Sequence, residues 1–232
     1  MLNEFAENRK RCLRQQTELR QLLTDPAQFE AARQLFFDQH ARLHSAVVAE
    51  QKIWSYEDVL LGDLDEAQIR QIPEKFDHSI AWILWHIARC EDITMNILIA
   101  GSQQVLNKEK WLERLHIQVA DTGNTMDMDE RAAFSNAVDI PVLRAYRLAV
   151  GKRTHEIVHG LKVSDLKKKP SPAAIARVWD EGAVLEGADG IVEYWRKRTY
   201  AGLLLMPATR HNLTHLNEAN QIKKVIWKQL GR

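Results

Sequence analysis

The sequence has few cysteines, which argues against a protein held together by disulfides. Cys12 and Cys90 are the two cysteines among 232 residues, and they lie far apart in the chain. Two distant cysteines give no disulfide framework and are typical of a reducing compartment. The first residues are charged and contain no apolar signal-peptide core, so we expect a cytoplasmic protein.

The sequence also lacks an excess of charge of one sign and lacks long apolar runs. Its 32 basic and 31 acidic residues give a net charge of +1. No basic surplus is left to neutralise a phosphate backbone, so a nucleic-acid partner is not expected. A membrane-spanning helix needs about eighteen or more consecutive apolar residues. No stretch of the sequence approaches that length, so no membrane partner is expected either.

Strand signals are absent, and helical periodicity dominates the sequence. We find no run of alternating β-branched residues and no hairpin turn between such runs. An all-α helical bundle in one domain spanning 1–232 is therefore predicted. Its four main helices are expected at about 28–54, 79–100, 139–160 and 207–230. Shorter helices are expected around 173–181 and 190–205, an accessory N-terminal helix within 1–28, and a long connection over 102–138 with a short helix around Trp111.

Three histidines occupy positions that should face the core of this bundle. His86 lies on the apolar stripe of the second main helix, and His211 and His215 lie on that of the last. Residues four apart share one face of a helix, so His211 and His215 can reach a single ion. A third ring from a facing helix would complete a three-histidine site with an open position. Each histidine alone is more often a hydrogen-bonded core residue, but three unpaired imidazoles would cost about 1–3 kcal/mol each.

Three further side chains near these histidines have open roles. Glu218, on the stripe of His215, could be a fourth ligand, a base for a bound water, a group that orients His215, or an exposed residue at the bundle end. His40 could add a ring, although a hydrogen-bonded core or rim histidine is the favoured interpretation. Cys90, one turn after His86, could be a soft ligand, but we expect a small apolar core residue. Trp82 and Trp85 are interpreted as packing residues beside the site.

Residues 155–159 match the H-E-x-x-H pattern of zinc proteases, but their position argues against that function. The apolar stripe of the same helix contains Leu143, Val150 and Ile157. At about 100° per residue, His155 and His159 point away from that stripe. We therefore expect both rings to face solvent or a flank, and a protease is not favoured.

Two segments resemble the DinB-like superfamily of metalloenzymes. Residues 79–89, SIAWILWHIAR, resemble the second-helix signature of that family, and residues 210–218, RHNLTHLNE, resemble its last-helix H-x3-H signature. The resemblance is strong over about 30–100 and 205–230, extends to 140–160, and is weak or absent over 1–28 and 102–138. Asn217 departs from the glycine that is frequent at this position.

The resemblance implies an up-and-down four-helix bundle with an added N-terminal helix and a long connection between the second and third helices. It implies that His86, His211 and His215 hold a divalent ion, often zinc or nickel. Several members of the family transfer low-molecular-weight thiols such as bacillithiol, mycothiol or glutathione, and members often form homodimers. The imidazoles themselves suit zinc, nickel, copper and iron alike.

The leading hypothesis is a metal-dependent thiol S-transferase, or a metal-assisted hydrolase, with Glu218 as the first candidate for proton handling. A second hypothesis is a non-catalytic metal-binding or stress-response protein, whose ion is closed off by Glu218 or His40. A third is a helical interaction module whose histidines are simply packed. The number of protein ligands separates the first two hypotheses, because catalytic sites keep a position open.

Overall fold

The computed structural model describes residues 2–49 and 52–231, and all regular structure in these ranges is helical. The prediction of an all-α protein is therefore confirmed. None of these helices combines the length and the apolar character needed to cross a membrane. The α-helices are α1 Leu2–Leu22, α2 Phe29–Leu43, α3 Tyr56–Leu61, α4 Glu66–Arg70, α5 Ile80–Asp92, α6 Trp111–Leu115, α7 Met128–Ala137, α8 Ile140–Gly160, α9 Pro172–Asp180, α10 Asp189–Lys197, α11 Tyr200–Leu205 and α12 His211–Gln229.

Shorter helical pieces join these α-helices. A first π-helical segment, Ile93–Ala100, follows α5, and a second, Met206–Arg210, precedes α12. The described ranges also contain four 3-10 turns, at Pro26–Gln28, Ala46–Val48, Val105–Asn107 and Val163–Lys167.

Helix α5 is the centre of the core. Every one of its residues is buried, and it packs against α8 and α12. The Ser79 hydroxyl accepts a hydrogen bond from the Trp82 amide at 3.0 Å and so caps the helix. Gly101, with φ of 63°, ends the π-helical segment that continues α5. The predicted limits of this main helix are confirmed, as is the predicted start of α8, where the Asp139 side chain accepts from the Val142 amide.

The predicted first main helix is too long, because α2 ends at Leu43. Beyond it, polar groups of the next segment take over the backbone hydrogen bonds that a continued helix would need. The Ser55 hydroxyl donates to the His44 carbonyl at 2.5 Å, and the Asp58 carboxylate accepts from the Ala46 amide at 2.8 Å. Val47, which lies within the range predicted for this helix, is 61 % exposed as a result.

The end of the chain also differs from the prediction. The single helix expected over 190–205 is divided, because Arg198 has extended backbone and Thr199 caps a new helix. From Tyr200 the backbone then stays helical to Gln229, through α11, the second π-helical segment and α12. That segment contains Pro207, which has no amide hydrogen to donate.

The connection over 102–138 contains more structure than predicted. The short helix expected around Trp111 is α6, and α7 is a second helix, begun by a capping box of Asp127 and Glu130. Helix α7 packs on α5 and α6 packs on α8. The N-terminal helix α1 packs along α2, as an accessory element would. The up-and-down order of the main helices and the single-domain organisation stay predictions.

Candidate metal centre

The structure brings His86, His211 and His215 together between α5 and α12. The Nε2 atoms of His86 and His211 lie 3.2 Å apart. The His215 ring centroid lies 4.9 Å from that of His86 and 4.6 Å from that of His211. Only 3 % of the His86 surface is exposed. The three rings predicted from helical periodicity thus meet edge to face between the two helices.

Hydrogen bonds fix which nitrogen of two rings carries the proton. Nδ1 of His86 lies 2.8 Å from the Thr122 carbonyl oxygen, and Nδ1 of His215 lies 2.8 Å from Glu218 Oε2. A carbonyl and a carboxylate only accept, so both Nδ1 atoms are donors, and in the neutral form of either ring Nε2 carries the lone pair. Nδ1 of His211 is buried with no hydrogen-bond partner among the described residues. In metal sites, the histidine nitrogen that does not bind the ion typically donates to a carbonyl or a carboxylate, as Nδ1 of His86 and His215 do here.

Burial keeps the two innermost rings uncharged. It lowers the pKa of His86 to about 3, and the neighbouring His215 ring adds to this effect. Burial, together with the neighbouring His86 and His215 rings, also lowers the pKa of His211 well below its ordinary value. Both imidazoles are therefore neutral near pH 7, which is the form that binds a metal ion.

Glu218 links His215 to His78, a histidine that was not among the predicted site residues. The second carboxylate oxygen, Oε1, lies 3.3 Å from His78 Nε2. The hydrogen bond from His215 and the nearby His78 ring hold the pKa of Glu218 well below its usual range. Although burial opposes it, the carboxylates of Glu218 and Asp77 raise the pKa of His78. An ionised carboxylate between two rings is suited to orienting His215.

Cys90 lies beside the histidine pair rather than in a purely apolar setting. Its Sγ is 3.8 Å from His86 Nε2. Together His86, Cys90 and His211 offer ligand atoms that all lie within 4.8 Å of one another, so this group could hold a metal ion. Burial raises the pKa of the Cys90 thiol, so the thiol stays protonated unless a cation is bound next to it.

The long connection over 102–138 supplies part of the surroundings of this site. Successive carbonyls of Ala120, Asp121 and Thr122 accept hydrogen bonds from the side chains of Arg89, Trp85 and His86, at 2.9, 3.0 and 2.8 Å. These contacts hold the connection along the face of α5. They involve backbone carbonyls, which have no signature in the sequence.

Trp82 forms one wall of the site, and Gly123 allows the connection to approach it. The Trp82 ring stacks on His86, with centroids 4.9 Å apart and planes 4° from parallel. Gly123 has φ of 73°, and a Cβ at this position would lie 2.8 Å from Trp82 Nε1. Glycine is thus required both by its backbone conformation and by the close contact.

A second group of side chains in the described ranges could also hold a metal ion. It contains His40 of α2, His44 directly after α2, and Glu91 of α5, all fully buried. Glu91 Oε1 accepts from His40 Nε2 and Thr154 Oγ1, both at 2.7 Å. Oε2 accepts from His44 Nε2 at 2.9 Å and Asn212 Nδ2 at 3.0 Å.

The carboxylate of this second group is saturated with hydrogen bonds. Despite complete burial, the two histidines hold the pKa of Glu91 well below its usual range. His40 is one of the candidates predicted from the sequence, whereas His44 and Glu91 are not. The spacing of four between His40 and His44 was a usable signal, whereas nothing in the sequence marks Glu91 as buried.

The H-E-x-x-H segment forms no site of its own. His155 and His159 face the flank of α8 towards Phe37, at centroid distances of 4.7 and 4.4 Å, as expected. Glu156 is exposed and pairs with Arg153 at 2.8 Å. His155 does reach further inwards than expected, because its Nε2 lies 3.1 Å from Nδ1 of buried His40.

The comparison with known proteins agrees with this architecture. No curated protein matches the chain. A model of the DinB superfamily matches residues 51–219, which is most of the sequence. The matched region contains His86, His211, His215 and Glu218, whereas His40 and His44 precede it. The chain belongs to the DinB superfamily.

Proposed function

We propose that this chain is a metal-dependent enzyme in which His86, His211 and His215 hold one divalent transition ion. The observation that carries the proposal is the orientation of the rings. Thr122 and Glu218 accept hydrogen bonds from Nδ1 of His86 and His215, and Nε2 of His86 lies 3.2 Å from Nε2 of His211, with the His215 ring next to both. Zinc and nickel are the first candidates, because imidazole nitrogen suits both and members of the family often use them.

The second group, His40 with His44 and Glu91, is less suited to this role. Its carboxylate already accepts four hydrogen bonds, and all three side chains are fully buried. An ion there would have to replace those bonds and would be closed to a substrate. In contrast, His211 and Cys90 of the first group line a cavity.

The activity we propose is transfer of a thiol to an electrophile, with metal-assisted hydrolysis as the alternative reaction at the same site. When bound, the ion would supply Lewis acidity, which lowers the pKa of a thiol or a water and makes it nucleophilic at neutral pH. The chain's own residues would then orient and enclose the reactants. Glu218 keeps the His215 ring in place, and Trp82 covers one face of His86. We assign Glu218 to positioning rather than to proton transfer, because two histidines hold it ionised.

One observation favours a second candidate function, a metal-binding protein without turnover. Cys90 lies close enough to His86 and His211 to act as a ligand with them. Three histidines and one thiolate would close a tetrahedral shell, as in structural zinc sites. Cobalt(II) substitution separates the two functions, since a cobalt–thiolate bond gives an intense charge-transfer band in the near ultraviolet. An open site predicts no such band in the wild type, whereas a closed site predicts a band that Cys90→Ser removes.

The proposal is tested first by elemental analysis of untagged protein purified without chelator. We expect about one equivalent of a transition metal, and its loss in the double variant His211→Ala/His215→Ala. The matched controls are His40→Ala/His44→Ala, at the second group, and His159→Ala, at an exposed position; both should keep the metal. If the protein stays metal-free after addition of zinc or nickel, the proposal is wrong. Retention of the ion by the His211/His215 variant would also contradict it.

The reaction is tested with the metal-loaded protein. Low-molecular-weight thiols are offered with an electrophile such as monochlorobimane, and thioether formation is followed by fluorescence. We expect turnover that disappears in His211→Ala/His215→Ala and persists in His159→Ala. Ester hydrolysis without thiol consumption would favour the alternative reaction, and absence of both would favour the non-catalytic candidate.

A further inference from the structure

An apolar cavity of about 190 Å³ opens beside the candidate metal centre. Its polar lining residues are Cys90 and His211, which belong to the group that could hold the ion. Any molecule in the cavity would therefore touch the side chains that surround the proposed ion.

The rest of the lining is aliphatic and aromatic. Helix α10 contributes one aliphatic and two aromatic side chains, and the second π-helical segment contributes two more residues: Ile191, Tyr194, Trp195, Met206 and Pro207. Among the residues that the structure describes, no Asp, Glu, Lys or Arg lines the cavity. A charged group placed against its aliphatic and aromatic walls would lose its hydration without gaining a partner there.

The irregular backbone of Met206–Arg210 builds this wall. A π-helical turn is wider than an α-helical one and is often found at functional sites. Here Pro207 lacks an amide hydrogen, and the side chain of Asn212 donates to the carbonyls of Pro207 and Ala208, both at 3.1 Å. Asn212 directly follows His211, so the segment that shapes the cavity is tied to the start of the metal-binding helix.

The volume limits what can enter. A dry apolar cavity of about 150 Å³ in another protein accommodates benzene. About 190 Å³ therefore accepts a six-membered ring with one or two additional heavy atoms. A peptide-like or sugar-linked thiol is too large and too polar to lie inside it.

Resting on the proposed function, we infer that this cavity binds the uncharged, ring-sized apolar part of the substrate. The apolar group lies between α10 and the π-helical segment, and its reactive end faces His211 and Cys90. The preferred substrate class is thus small, neutral aromatic or alicyclic compounds. A polar thiol or water must approach the centre from another side.

The test measures binding and metal content separately on the full chain as purified. Benzyl alcohol is titrated by calorimetry, and benzylammonium, which has the same ring with a positive charge, is the matched control ligand. We expect one benzyl alcohol per chain and at least tenfold weaker binding of benzylammonium. Equal binding of the two ligands would overturn the inference.

Two variants locate the binding. Ile191→Trp and Met206→Phe fill the cavity from different elements, and each should weaken benzyl alcohol binding at least tenfold. Val163→Trp, at an exposed position outside the cavity, should leave binding unchanged. If both filling variants fold, as judged by circular dichroism, and bind benzyl alcohol like the wild type, the inference is wrong.

Metal content keeps this inference separate from the proposed function. Ile191→Trp is expected to keep its metal while losing benzyl alcohol. Protein that binds metal but not benzyl alcohol would overturn the inference alone. Protein that binds benzyl alcohol in the cavity but no metal would overturn the proposed function, and with it the assignment of the ligand as a substrate.

Discussion

At the scale of single residues, the proposed metal centre depends on the hydrogen bonds that orient its histidine rings. Glu218 is the clearest case, because its carboxylate binds Nδ1 of His215 at 2.8 Å. Loss of such a partner typically weakens metal binding by about 10–100-fold. We therefore expect Glu218→Ala to lower zinc affinity by roughly this factor, measured by competition with a chromogenic chelator.

Glu218→Gln tests whether the Glu218 side chain acts by orienting the His215 ring or through its negative charge. Glu218→Gln can still accept a hydrogen bond from His215 and should recover part of the affinity. Glu156→Ala, at an exposed glutamate of α8, is the control and should bind zinc like the wild type. Unchanged affinity in Glu218→Ala would mean that His215 is not held for metal binding.

The two cysteines give a second prediction at the residue scale. Both thiols are buried, and burial raises the pKa of Cys12 to about 11. Because the thiolate is the reactive form, neither cysteine of the folded protein should react with Ellman's reagent near pH 8. Two thiols per chain should appear in guanidinium chloride. Rapid reaction of one thiol in the folded protein, and its absence in Cys90→Ser, would show that Cys90 is accessible through the cavity.

Among the structural elements, the junction of the second π-helical segment with α12 depends most on one side chain. Asn212 donates to Glu91 and to two carbonyls of the segment, and its Oδ1 accepts from Arg147 Nη1 at 2.9 Å. Asn212→Ala would leave buried polar groups without a partner, at about 1–3 kcal/mol each. We expect the free energy of unfolding to fall by about 3 kcal/mol, measured in urea.

The control for this prediction is Asn136→Ala, at an exposed position in α7. Exposed substitutions of this kind usually change stability by less than about 0.5 kcal/mol. A similarly small effect of Asn212→Ala would contradict the view that this side chain stabilises the π-helical backbone.

The long connection over 102–138 gives the second prediction at this scale. Gly123 has positive φ and lies against Trp82, which in turn stacks on His86. A methyl group there must displace Trp82 or the connection, so Gly123→Ala should lower both stability and zinc affinity. Gly190→Ala is the control, because a Cβ at Gly190 meets no atom within 4 Å. Loss of stability with unchanged zinc affinity would show that the connection does not influence metal binding.

At the scale of the whole molecule, metal binding should stabilise the folded chain. A ligand present at about 100 times its Kd adds roughly 2.7 kcal/mol when it binds the folded state alone. We expect a chelator to lower the Tm of the wild type and not that of His211→Ala/His215→Ala, measured by differential scanning calorimetry. A chelator effect of equal size in both proteins would place the stabilising ion elsewhere in the fold.

Local sequence signals predicted some helix limits and the proximity of three histidines, whereas another helix limit depends on a later segment of the chain. The limits of the helix after Ser79 and the meeting of His86, His211 and His215 follow from local caps and from helical periodicity, which the sequence displays directly. The end of α2 depends on Ser55 and Asp58, which come from a later segment, and was predicted wrongly.

Other features of the site depend on contacts between distant segments. The burial of Glu91 requires partners from α2, α8 and α12, and Thr122 acts through its backbone carbonyl. Neither property belongs to the residue type, so no local pattern indicates it. Tertiary contacts therefore decide the surroundings of the site, whereas the three central rings follow from the sequence.

X-ray absorption spectroscopy of the zinc-bound protein tests the central claim most directly, because it counts the atoms bound to the ion. Three imidazole nitrogens at about 2.0–2.1 Å, with no sulfur and an additional light atom, are the predicted result. The same spectrum should be absent from His211→Ala/His215→Ala. Two imidazoles with a carboxylate, unchanged in that variant, would place the ion at His40, His44 and Glu91 and would contradict the account.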